Sequence, residues 1–283
     1  MNLWELVNAP AIVKVTLFFG VWGLLWLPIA IAIANVINWH PPQPLNDQQK
    51  LILLASLYLL VPFIVWSFSQ VENLSFSSYG WIGQVSTGTS VLIGLSLAIF
   101  SLVILFGVEW ILGWVCWQPQ LSPQLSNVTL SSKILSTTGS LLSILLLGLW
   151  ISATEELVFR GFVHYHLVQD YPLIIAAAIA SLIFALTHLI WEVKGTIPQL
   201  PGLWLMAMVL TLACVYNQGQ LGFAIGLHAG WIWGLTSLQT LGTLTYTRRV
   251  PAWVTGIADQ PLAGVMGITM LMMVAILLGT LIK

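Results

Sequence analysis

Charge is what this sequence has least of. Eight Lys and Arg and nine Asp and Glu make up 6% of 283 residues, and the formal net charge is −1. There is no run of Lys or Arg, so nothing offers a footprint to the phosphates of a nucleic acid or to anionic lipid headgroups. Cysteine is rarer still. Cys116 and Cys214 fall in or at the end of apolar stretches and read as small buried hydrophobes, which excludes a disulfide framework and indicates no redox compartment. No internal repeat, low-complexity tract or soluble domain interrupts the chain. What fills it instead is apolar: 58% hydrophobic residues, fifteen Trp and a mean hydropathy of +0.95. Such a composition specifies a polytopic membrane protein.

About 20 residues are needed to cross the hydrocarbon core. Apolar length then predicts helices over 15–37, 51–68, 90–115, 139–163, 173–191, 202–216, 221–240 and 263–282, an all-α membrane bundle of eight crossings. The first segment is too long for a signal-peptide core and lacks a small-residue cleavage pattern, so it is expected to stay. Connections are short and polar or proline-bearing: His40 to Pro44, Gln70 to Gln84, Gln118 to Ser132, and Tyr246 to Pro261. Lys50, Lys133, Lys194, Arg248 and Arg249 lie in the loops after helices one, three, five and seven, while Lys14 and Lys283 lie opposite. The positive-inside bias puts both termini outside the cytoplasm. Trp110, Trp114 and Trp117 fit an aromatic interface belt.

Against this background, residues 155 to 160 stand out: Glu-Glu-Leu-Val-Phe-Arg places three charged groups between apolar stretches. An ionised side chain at bilayer depth costs roughly 2.5 to 3.5 kcal/mol on insertion scales, so such residues pair, face the protein interior and mark function. A helix turns about 100° per residue, which puts Glu156 and Arg160 within about 40° of each other and Glu155 about 140° from Arg160. Arg160 is therefore expected to neutralise and orient Glu156. Glu155 faces another surface and is expected to be free to hold a water.

Two histidines lie in later spans. His188 continues the four-residue series Ala176, Ala180, Phe184, a stripe of mostly small residues that lets it point into the bundle. His228 stands opposite an unbroken series of Gly222, Gly226, Gly230 and Gly234, which allows a neighbouring helix to approach at backbone distance. His164 and His166 are about 200° apart and cannot face one site together; they read as membrane-interface residues. Carboxylate and imidazoles on three long helices are what it takes to bind and activate water for attack on an amide, which points to hydrolysis in a membrane cavity.

Three motifs together resemble the CPBP intramembrane proteases (CAAX prenyl endopeptidase and bacteriocin-processing proteins, also called ABI): Glu155-Glu156-x-x-x-Arg160 followed by Gly161, Phe184-x-x-x-His188, and His228-Ala229. The likeness covers roughly 139–241, giving an expected division into N-terminal helices (1–138), a catalytic core (139–241) and a loop with the last helix (242–283). It implies an endopeptidase in which Glu155 is the catalytic base, His188 shares the activating role, His228 serves the transition state, and Glu156 and Arg160 support them. The expected substrate is a transmembrane or lipidated peptide in contact with membrane lipid, with no nucleic acid. The family is commonly called metalloprotease. Glu155, His188 and His228 suffice for an open zinc site, and the same residues can also work without metal; no His-Glu-x-x-His helix is present.

One position departs from the family pattern. Four residues beyond its last motif histidine the family carries Asn or Asp, where this chain has Ile232. Either another group serves, with Thr236 one turn on as the candidate, or catalysis is weakened or absent. The alternative function is thus a catalytically weak or inactive membrane scaffold or immunity factor of the same fold. A proton-coupled transporter finds no support in inverted repeats or paired broken helices.

Overall fold

The computed structural model describes residues 7–117 and 130–281. Helices occupy all eight expected places: α1 (Ala11–Val36), α2 (Asp47–Leu59) running on into α3 (Val61–Val71), α4 (Val85–Ile111), α5 (Leu130–Glu156), α6 (His164–Asp170), α7 (Leu173–Thr187), α8 (Leu200–Tyr216), α9 (Gly222–Leu241), a short α10 (Ala252–Thr255) and α11 (Val265–Leu281). The chain is an all-α, multi-pass integral membrane protein. Among the described residues six helical segments combine the length and apolarity of a membrane span. The other two of the expected eight fall short of it. Glycine, His228 and Gln239 dilute the apolar character of α9, and α11 has 17 residues.

Boundaries shift where polar residues join a helix that apolar length alone cannot see. Expected to begin at 139, α5 takes in the Ser- and Thr-bearing stretch from Leu130. The rest of the connection expected from Gln118 lies outside the described residues. At Asn46 a capping box starts α2 early: the Asn46 side chain accepts from the Gln49 amide, and Gln49 bonds back to the Asn46 amide. A two-stranded antiparallel ribbon was not anticipated. In it β1 (Val115–Trp117) pairs with β2 (Leu244–Tyr246), Cys116 opposite Thr245, which leaves Cys116 half-buried while Cys214 is buried.

The chain divides into two compact units, one of residues 1–82 and 154–180, the other of 83–153 and 181–283. The first has an aromatic core. Phe18 of α1 stacks on Phe162 with centroids 4.4 Å apart, and Phe68 of α3 meets the same ring edge-on at 5.1 Å. Tryptophan ties α1 to α2 by donating to the Leu57 carbonyl from Trp22 and to the Ser56 hydroxyl from Trp26, both at 2.9 Å.

The second unit is built on the glycine series of α9. A Cβ at Gly226 would overlap the Val91 carbonyl of α4; one at Gly222 would stand 2.9 Å from the Thr87 carbonyl oxygen, and those at Gly230 and Gly234 would meet Ala98 and Leu102. Gly94 of α4 answers from the other side, against the backbone at Phe223 and Leu227. The backbones of α4 and α9 therefore approach closely from Gly222 to Gly230, about two turns, as the stripe predicts. Polar links add to the packing: the Ser152 hydroxyl of α5 donates to the Ile225 carbonyl at 3.0 Å, and the Trp231 indole donates to Ser101 at 3.0 Å.

Candidate active site

The carboxylates belong to the first unit. Glu155 and Glu156 close α5, and the helix then continues through Leu157–Val163 as a wholly buried π-helix before α6 resumes. Such wide turns are rare overall and frequent at functional sites. Arg160 lies within this one. Its Nη1 donates to Glu156 Oε1 at 3.0 Å, with side chains 2% and 0% exposed, so the pair that the four-residue spacing predicts is present and dry. Gly161 is needed next to it: a Cβ there would stand 3.0 Å from the Tyr79 carbonyl oxygen, where the 76–79 turn crosses.

Glu155 is buried, and the hydroxyl of Tyr58 in α2 donates to its Oε1. The sequence carries a signal for this that the motif search passes over. Tyr58 sits inside an apolar span, and a tyrosine at that depth needs a partner for its hydroxyl.

His166 is 2% exposed, with Nε2 3.3 Å from Glu72 Oε2, and its ring packs 4.4 Å from Phe162. His164 is half-buried, with its Nε2 enclosed. Glu72, at the end of α3, gathers further partners: Lys14 Nζ at 2.7 Å on Oε1 and the Tyr79 hydroxyl, donating to Oε2 at 3.0 Å. Burial, and then the Glu72 charge, push the Tyr79 hydroxyl well above the ordinary tyrosine value.

The imidazoles belong to the second unit. At Thr187 the α-helix gives way to a tighter turn that begins with His188, which is half-buried at the helix end rather than deep in a span. Its Nδ1 is 2.9 Å from the Phe184 carbonyl oxygen. A carbonyl only accepts, so Nδ1 is the donor in this bond and Nε2 is left for another partner. His228 is 3% exposed. Phe184 touches both rings, His188 at 4.7 Å and His228 edge-on at 5.9 Å, which gives a physical reason for the phenylalanine four residues before the first histidine. Ile232 is absorbed by packing: a Cβ added to Gly148 of α5 would meet its Cγ2 at 3.3 Å.

Fold and site thus define a multi-pass membrane protein that buries a carboxylate–arginine pair beside a second carboxylate, and sets two imidazoles around one phenylalanine. Residues 137–234 match the family described as Rce1-like, type II CAAX prenyl endopeptidase Rce1-like, the part of the chain that carries the three motifs. The match takes in Glu155, Glu156, Arg160, His188, His228 and Ile232 and leaves Tyr58 and Glu72 outside it. No curated protein and no solved structure matches the chain. Among the described residues no three or more His, Cys, Asp or Glu side chains form a group that could hold a metal ion.

Proposed function

We propose that this chain hydrolyses a peptide bond of a membrane-associated substrate, with Glu155 as the general base. The observation that carries this reading is the division between adjacent carboxylates: Glu156 is committed to Arg160, while Glu155 turns to a different partner, the weakly acidic hydroxyl of Tyr58. Glu155 accepts a proton from water, the resulting hydroxide oxygen attacks the peptide carbonyl, the C–N bond breaks, and the proton passes from Glu155 to the leaving amine. The family likeness gives His188 and His228 the assisting roles, His188 in activation and His228 at the transition state. Glu156 and Arg160 keep the wide turn in register beside the base.

Ile232 favours a second reading, a scaffold of the same fold that no longer cleaves, because the polar side chain expected there is missing. Purified protein in detergent, given a prenylated CAAX-type peptide and transmembrane peptides, separates the two. Cleavage at one site, mapped by mass spectrometry, is the expected result, and no cleavage of any of them by folded protein favours the scaffold. Elemental analysis of the same sample decides on the expected zinc set of Glu155, His188 and His228. About one equivalent of zinc, with activity lost to a chelator and restored by the metal, would add a metal to the mechanism; full activity in a metal-free sample leaves Glu155 as the sole activator.

A further inference from the structure

We propose that Tyr58 is a positioning residue for the base, an assignment that rests on the reading of Glu155 above. Tyr58 comes from α2, outside the family match, and it is 7% exposed. Its ring packs against Trp22 of α1, 6.4 Å between centroids, and that indole is itself fixed by its bond to the Leu57 carbonyl. The hydroxyl is therefore delivered by a side chain that packing already holds, and it donates to Glu155 Oε1.

A glutamate base has rotatable bonds to settle before it can meet a water and a carbonyl in line, and small misplacements of a reacting group cost large factors in rate. A hydrogen bond from a neutral donor settles the carboxylate's orientation. No proton leaves Tyr58 in the cycle. The water proton moves to Glu155 and on to the amine, and the tyrosine O–H bond stays intact.

Tyr58→Phe removes the donor and keeps the ring between Trp22 and Glu155. Measured on the full chain in detergent with a prenylated CAAX-type peptide, and normalised to folded protein by thermal unfolding, kcat falls about ten- to a hundredfold, the range of one hydrogen bond to a charged group. KM stays within about twofold. A purely structural tyrosine would instead lower the folded fraction and leave kcat per folded molecule at the wild-type value, which overturns the proposal. Glu155→Ala, run in parallel, tells the two failures apart. If Glu155→Ala is inactive and Tyr58→Phe has an unchanged kcat, the tyrosine assignment falls and the base stands; if Glu155→Ala hydrolyses at the wild-type rate, the base reading falls and takes this one with it.

Discussion

The first unit buries two carboxylate clusters of nearly the same composition. One holds Glu155 and Glu156 with Tyr58 and Arg160; the other holds Glu72 with Tyr79, Lys14 and His166. They differ in how the partners are spent. In the second, a single carboxylate has Lys14 on one oxygen and both Tyr79 and His166 on the other, an arrangement that ties α1, the end of α3, the 76–79 turn and α6 together. In the first, the arginine is assigned to one glutamate and the tyrosine to its neighbour. On the proposed reading, the second carboxylate leaves one to be structural and the other to be offered to a reaction.

The comparison breaks most easily at Glu72. Glu72→Ala leaves half-buried Lys14 and buried His166 without their carboxylate, a loss that for a fully buried pair costs about 3–5 kcal/mol and here less. A lowered unfolding temperature and a poor yield in detergent are expected, with hydrolysis per folded molecule unchanged. Loss of turnover in protein that remains folded would show that the two clusters are not separate in function.

A smaller effect is expected in the second unit, where glycines take the place of charge as the organising element. Gly226→Ala forces a Cβ into the Val91 carbonyl and is expected to destabilise by about 1–3 kcal/mol, as overpacking does. Gly20→Ala in α1, where a Cβ would meet nothing within 4 Å, is expected to be neutral or to stabilise by up to about 1 kcal/mol through helix propensity. Thermal unfolding of the two variants side by side checks the contrast.

The difference between the clusters also marks what can be read from the chain. Glu156 and Arg160 are four residues apart on one helix, so their pairing follows from helix geometry, and the α9 stripe follows from its spacing in the same way. Glu72, Lys14, Tyr79 and His166 come from four separate segments, and no local period joins them. The partner of His166 is 94 positions away, and the helix runs past the end of the apolar stretch. The π-helix escaped too, because the sequence 157–163 is as apolar as an ordinary turn. Eight helical places were legible from apolar length, but the glycines that let α9 pack on α4 also take it out of the range of an ordinary span.

The smallest expected effect is at Ile232. Ile232→Asn puts a donor where the family carries one, and a rise in hydrolysis of at most about tenfold is expected, below the roughly hundredfold or more of an optimally placed donor, because the site is packed for a branched apolar side chain against Gly148. A fall in activity would mean that Ile232 belongs to a working site rather than a weakened one.

The division of labour between the clusters is tested most directly by one number, the hydrolysis rate per folded molecule of Glu155→Gln. The substitution keeps the size of the side chain and an oxygen that can accept from Tyr58, and it removes the ability to take a proton. A loss of roughly 10²–10⁴-fold, the contribution of a general base, with the unfolding temperature close to wild type, is the predicted result. A rate equal to wild type would contradict the assignment of Glu155 as the base.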